Sequence, residues 1–188
     1  MIKIVFLDRD GVINRYPGDR NYVTSLDSFR FIPKAKDAIK WLSDEGFMIF
    51  VISNQAGVGK GIYTQKALDD ITSKMFFDIK KHGGNISGVY YCIHRKEQNC
   101  SCRKPNIGLI KKVLSDFKIS KLYLKNSYFI GDSQIDVRTA KKAGLKSILV
   151  LSGKEKLANR GFWEVEPDNI AKDLLTAAKI VLVKRSVK

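Results

Sequence analysis

Ile2-Lys3-Ile4-Val5-Phe6-Leu7 runs without a break into Asp8-Arg9-Asp10-Gly11-Val12. The first six residues are rich in β-branched and aromatic side chains and apolar on both faces except at Lys3. That pattern reads as a strand buried on two sides, as in a parallel sheet covered by helices. Two carboxylates two residues apart project the same way while the chain stays extended, and Gly11 lets the backbone turn close to a ligand. Such a pair suits a nucleophile with an acid/base partner, and taken alone it equally suits solvated loop carboxylates.

Working outward, Phe47 to Ile52, Gly88 to Cys92, Tyr128 to Gly131 and Lys146 to Leu151 repeat the apolar pattern, which predicts five buried strands in all. Helices are predicted between them. Pro33 opens one that Gly46 stops, with Ala35, Ala38, Ile39 and Leu42 as its apolar stripe. Thr64 caps a second, ending at His82-Gly83-Gly84. Others span about Asn106 to Phe117 and Ser133 to Ala143, and a last one runs from about Asp168 to Val183 into the basic tail Lys184 to Lys188. Alternating strands and helices predict an α/β fold, a Rossmann-like three-layer sandwich with a mainly parallel sheet. Neither an internal repeat nor a linker breaks the chain, so a single domain over residues 1–188 is expected.

With 188 residues, 44% of them hydrophobic, the chain can bury one core. Its apolar runs fall short of the ~18 residues that a membrane span needs. The apolar start passes directly into charged residues with no cleavage-site pattern, so a soluble cytoplasmic protein is expected, acting as a monomer. Basic side chains number 34 against 19 acidic ones, a formal charge of +15. They are spread over pairs such as Lys80-Lys81 and Lys141-Lys142, as on a solvated lysine-rich surface; attraction for an anionic partner is the functional alternative. No basic run is interleaved with aromatics, which argues against nucleic acid as that partner.

In open parallel sheets ligands sit beyond the carboxyl ends of the strands. Asp8, Ser53, Cys92 and Asp132 are expected at four such ends. Ser53-Asn54-Gln55 leads into Ala56-Gly57-Val58-Gly59-Lys60-Gly61, with hydroxyl, amide and backbone donors suited to phosphate oxygens, although the P-loop spacing is missing. In Arg103-Lys104-Pro105 a cation at Lys104 could neutralise a transferring phosphoryl group. Gly131-Asp132-Ser133-Gln134-Ile135-Asp136 places one carboxylate at a strand end and another four residues on. Oxygen ligands suit Mg²⁺, for which Asp8, Asp132 and the Asp10 main-chain carbonyl are the candidates, with Asp136 as a helix N-terminal charge. Cys92-Ile93-His94 and Cys100-Ser101-Cys102 form a Cys₃His set, Cys92, His94, Cys100 and Cys102, suited to tetrahedral structural Zn²⁺.

Asp8-x-Asp10-Gly11-Val12, Ser53, Lys104 and Gly131-Asp132-x-x-x-Asp136 resemble, in this order, the four motifs of the haloacid dehalogenase superfamily of phosphatases. The match covers residues 2 to about 151. It implies phosphoryl transfer through an aspartyl-phosphate, with Asp8 as nucleophile, Asp10 as acid then base, and Ser53 and Lys104 holding the phosphoryl group. The cysteine loop, residues 92–104, is similar to that of the zinc-loop group shared by heptose-bisphosphate phosphatases and histidinol-phosphatases. The Asn21-Tyr22-Val23 and Ser53 to Val58 segments look more like the heptose branch, whose reaction converts D-glycero-D-manno-heptose 1,7-bisphosphate to the 1-phosphate, a precursor of surface polysaccharide. Three departures from that branch stand out: Thr24-Ser25 where His-Glu is usual, Ile93 where proline is usual, and Ser133 where many members have lysine. The absence of a long insertion implies a site without a large cap. Substrate contacts are then expected from Asp19, Arg20, Asn21, Tyr22, Ser53, Asn54, Gln55, Arg103, Lys104 and Ser133. Histidinol-phosphatase is the alternative activity, and a nucleic-acid 3′-phosphatase or basic nucleic-acid-binding protein the alternative of another class.

Overall fold

The computed structural model describes residues 2–183; the basic tail from Lys184 to Lys188 lies outside them. Six strands form one sheet: β1 (Lys3–Leu7), β2 (Phe47–Asn54), β3 (Gly88–Cys92), β4 (Tyr128–Gly131), β5 (Lys146–Val150) and β6 (Asn169–Ala171). Their order is β3-β2-β1-β4-β5-β6 and every neighbouring pair is parallel. The helices are α1 (Ala35–Asp44), the single turn α2 (Ala56–Gly59), α3 (Gln65–Lys81), α4 (Gly108–Asp116), α5 (Gln134–Ala143) and α6 (Leu174–Val183).

Alternation along β1 explains the layers. Val5 and Leu7 pack with α1, α3 and α6 on one face, while Ile4 and Phe6 pack with α4 and Ala140 of α5 on the other. All four are fully buried, so the strand reads as an unbroken apolar run. On the second face Phe6 lies between Phe50 and Phe129, with ring centroids 5.8 and 6.3 Å away. The three-layer α/β sandwich expected from the sequence is the fold observed, and no inserted domain interrupts it among the described residues.

The helix expected from Asp168 begins instead at Leu174, because residues 169–171 pair with β5 as a sixth strand. Asp168 anchors that strand: its carboxylate accepts from the Ser147 amide and hydroxyl at 2.7 and 2.8 Å. Asp173 caps α6 by accepting from the Thr176 amide at 2.9 Å. Three residues are too short for a periodicity to show, which is why the strand escapes a pattern reading. β3 is an edge strand and only half-buried, in contrast to the buried strand expected. Helix α1 starts two residues after Pro33, since Lys34 sits at φ 66° and delays the first turn. Ser53 and Asn54 lie within β2, not after it.

Part of the positive charge is paired locally. Lys40–Asp44, Lys66–Asp70, Lys74–Asp78 and Lys112–Asp116 are i,i+4 pairs on exposed helix faces. No helix among the described residues is long and apolar enough to cross a membrane.

Candidate active site

Strand order reverses between β1 and β4, and the crevice this opens is where Asp8 and Asp132 emerge. The Asp8 amide donates to the Ile130 carbonyl at 3.0 Å, so the two strand ends are stitched together below the site. Lys104 reaches in from the loop before α4. Its Nζ lies 3.0 Å from Asp8 Oδ2 and 2.6 Å from Asp136 Oδ1, with its side chain 2% exposed. Burial works against its ammonium, but Asp136 and Asp8 outweigh that and hold its pKa above the ordinary lysine value. The Lys104 backbone is clamped as well. Asn54 Oδ1 accepts from its amide at 3.0 Å and Asn54 Nδ2 donates to its carbonyl at 3.2 Å.

Burial pushes the Asp8 carboxyl up to about 6, Asp136 and Asp10 adding to the effect and Lys104 opposing it. Asp132 is also raised well above the usual range, by burial first and then by Asp136 and Asp8. Ligand atoms of Asp8, Asp132 and Asp136 lie within 4.8 Å of one another. Of these, Asp136 is already committed. Its Oδ1 takes Lys104, and its Oδ2 takes the Ser133 amide at 3.2 Å and the Ser133 hydroxyl at 2.6 Å, capping α5. Asp8 and Asp132 remain as crowded carboxylates short of positive charge, an arrangement that a hard divalent cation fits. The cradle is close-built. Gly11, at φ 81°, and Gly153 both press on the Asp132 carboxylate, and a Cβ at either would collide with it.

Asp10 is held by Arg9 and Asn14, which the sequence did not flag, and by Gln55, expected to contact substrate. Arg9, fully buried, donates from Nε and Nη2 to the two Asp10 oxygens at 3.1 Å each. Asn14 donates to Oδ1 at 2.9 Å and Gln55 to Oδ2 at 2.9 Å. Gln55 also donates to Ser53 Oγ at 3.1 Å and accepts from Arg9 and from the Tyr63 hydroxyl. At 1% exposure it lies behind the cavity and does not line it, unlike the other residues expected to contact substrate. Arginine within Asp-x-Asp reads as a surface charge in a sequence; only the fold turns it inward.

Above this floor lies a cleft of about 240 Å³. Asp8, Asp10, Asp19, Arg20, Asn21, Tyr22, Ser53, Asn54, Arg103, Lys104, Asp132 and Ser133 all line it. So do Tyr16 and Lys154, which sequence reasoning missed. Position offers the one signal for Lys154: Ser152-Gly153-Lys154 follows β5, another carboxyl end of the sheet. The Lys154 amide donates to Asp132 Oδ2 at 2.8 Å.

Cys92, His94, Cys100 and Cys102 converge beside the cleft. Sulfur–sulfur separations are 3.2 to 3.5 Å, and His94 Nδ1 lies 3.1 Å from Cys102 Sγ and 3.7 Å from Cys92 Sγ. Zn–S bonds of about 2.3 Å and Zn–N bonds of about 2.0 Å in a tetrahedron give edges of roughly 3.5 to 3.8 Å, so this donor set fits zinc with little adjustment. The loop is tied to the site at both ends: Cys92 is the last residue of β3, and Cys102 precedes Arg103, whose Nη1 donates to the His94 carbonyl at 3.3 Å.

Comparison with known proteins agrees with this geometry. The family model described as "HAD-hyrolase-like" matches residues 101–177. The D-glycero-beta-D-manno-heptose-1,7-bisphosphate 7-phosphatase of Neisseria meningitidis serogroup A is 32% identical over 183 residues, 96% of this chain and 95% of the relative. That of Haemophilus ducreyi is 35% identical over 160 residues, 81% and 85% of the two chains. Among solved structures, the D,D-heptose 1,7-bisphosphate phosphatase of B. bronchiseptica, complexed with magnesium and phosphate, superposes with a TM-score of 0.89 at 27% identity, covering 97% of this chain and 99% of that one.

Proposed function

The chain belongs to the haloacid dehalogenase-like phosphatases, in the family of the D-glycero-beta-D-manno-heptose-1,7-bisphosphate 7-phosphatases, and from that premise we propose that it removes the C7 phosphate of D-glycero-D-manno-heptose 1,7-bisphosphate. It is thus a phosphoric monoester hydrolase, proposed to work alone as a single cytoplasmic domain. The observation that carries the mechanism is the Asp8–Lys104 contact of 3.0 Å at the point where strand order reverses.

An Asp8 oxygen attacks the phosphorus in line, forming the acyl-phosphate as the bond to the sugar oxygen breaks. Asp10 gives that oxygen its proton. Then Asp10, ionised, takes a proton from the water that attacks phosphorus, which releases inorganic phosphate and restores the Asp8 carboxylate. Arg9, Asn14 and Gln55 fix the Asp10 side chain for both transfers. Lys104 offsets the repulsion between a carboxylate and a dianionic phosphate, and Ser53 supports the phosphoryl oxygens. Asp8 and Asp132, with the Asp10 main-chain carbonyl, would hold a magnesium ion, which when bound adds positive charge at the phosphoryl oxygens. Among the charged residues lining the outer cleft, exposed Arg20 and Lys154 and half-buried Arg103 outnumber Asp19, which favours a substrate with a second anion over the ammonium of histidinol phosphate.

Phosphate release with Mg²⁺, measured on the heptose bisphosphate, histidinol phosphate and 3′-phosphorylated DNA, tests the substrate, and phosphorus NMR of the product tests the position. The expected product keeps its C1 phosphate. Release of the C1 phosphate, or a higher kcat/KM on either competitor, would reject the assignment.

Zinc is proposed as the tie that delivers Arg103 and Lys104. Protein purified without added metal should hold one zinc per chain. A Cys100→Ser/Cys102→Ser double variant should lose it, together with about 10- to 100-fold in kcat/KM through a misplaced Lys104. Unchanged zinc in that variant, or zinc-free wild type, would show the cluster to be incidental.

A further inference from the structure

Charge is unevenly divided along the cleft. Its deep end gathers Asp8, Asp10, Asp132 and Asp136 against Lys104 and the buried Arg9 behind it. The outer end carries exposed Arg20 and Lys154 and half-buried Arg103 against Asp19. Lys154 differs from its two neighbours in how it is held. Its main chain is fixed to the reacting end, because its amide donates to Asp132 Oδ2 at 2.8 Å and the next amide, Glu155, donates to the Asp132 carbonyl at 3.0 Å. Ser152 adds a third tie, its hydroxyl donating to the Gly11 carbonyl at 2.7 Å. The side chain, by contrast, reaches Asp19, with Nζ 3.2 Å from Oδ1. Asp19 belongs to the loop after β1, and the same oxygen accepts from the Tyr16 hydroxyl at 2.6 Å.

A carboxylate on a half-exposed lysine beside a phosphatase cleft occupies the place that a phosphate would take. The pair is 48% and 72% exposed, so solvent screens it and little is lost when it opens. An incoming phosphate dianion presents more charge and more acceptor oxygens than Asp19 does. We propose that Lys154 is the specificity-determining cation for the second, unreacted phosphate of the substrate, and that Asp19 holds it in position until that phosphate displaces the carboxylate. The inference rests on the bisphosphate reading above and deepens it. Because the Lys154 backbone is fixed to Asp132, the distance between the reacting and the remote phosphate is gauged from the same residue that closes the reacting end.

The test compares the heptose bisphosphate with p-nitrophenyl phosphate, which offers one phosphate only. Lys154→Met is expected to raise KM for the bisphosphate about tenfold more than for p-nitrophenyl phosphate, with kcat falling less than KM rises. Lys154→Arg should recover most of the loss, and Asp19→Asn should lower KM for the bisphosphate by freeing the ammonium. If wild type prefers the bisphosphate and Lys154→Met shifts both KM values equally, the role of Lys154 is overturned and the proposed reaction stands. A wild type that shows no preference for the bisphosphate overturns the proposed substrate and this inference with it.

Discussion

Asp8→Asn is expected to lower turnover by about 10⁴-fold or more and to leave no trapped phospho-enzyme, because an amide is not a nucleophile toward phosphorus. The fold should survive, and melt no lower than wild type. Burial raises the Asp8 carboxyl to about 6, so above that pH the native state carries a buried charge that the unfolded chain would rather hold in water. The sign follows from the direction of the shift. A raised carboxyl costs stability as pH climbs through about 4 to 6 and goes on costing it above. Asparagine removes the cost, while Lys104 keeps its 2.6 Å partner in Asp136. At pH 8 with no magnesium added, thermal denaturation should therefore show an equal or higher Tm, by about 2–4 °C for each kcal/mol regained. Asp10→Asn should by contrast still form the complex with substrate but fail to turn it over, since its backbone is unaltered and only the proton traffic is lost. Substantial phosphate release by Asp8→Asn would end the covalent mechanism.

Lys104→Met is expected to damage both stability and catalysis. The ammonium sits between Asp8 and Asp136 at 3.0 and 2.6 Å, out of contact with solvent, and removing it leaves two buried carboxylates facing each other. Breaking a buried pair from one side costs about 3–5 kcal/mol. The loss should be largest near pH 8, where Asp8 is ionised, and smaller near pH 5, where Asp8, raised by burial to about 6, takes up a proton. Activity should fall about 10³-fold at either pH, for want of a cation at the phosphoryl oxygens. Urea unfolding at the two pH values with parallel assays checks both parts. A destabilisation of the same size at pH 5 and pH 8 would show that Lys104 serves packing and not charge.

Much of this site is legible in the sequence. The Leu7-Asp8-x-Asp10 junction, Lys104 after the cysteine loop and Gly131-Asp132 each follow an apolar run or a turn signal, and the sheet brings them to one rim. Gly144 and Thr64 end and begin helices where their types predict. Two features stayed hidden for different reasons. β6 is too short to show a period, and it exists because β5 offers it an unpaired edge. Asn54 and Gln55 are adjacent amides that look equivalent as phosphate donors. The strand sends one onto the Lys104 backbone at the cleft wall and the other into the Arg9–Tyr63 cluster behind it.

Residue type and local order alone determined the layered α/β fold, the carboxylate pair, the cation and the Cys₃His set. These are statements about periodicity and chemistry within a few residues, where the backbone sets which side chains share a face. Tertiary structure alone decided that Arg9 turns inward to grip Asp10, that Asp136 is consumed by Lys104 and Ser133, and that Lys154 meets Asp19 across 135 positions of sequence (154 − 19). A charged side chain carries no mark of its partner in a sequence. Whether it is solvated, paired or buried follows from which loops the folded sheet brings within hydrogen-bond reach.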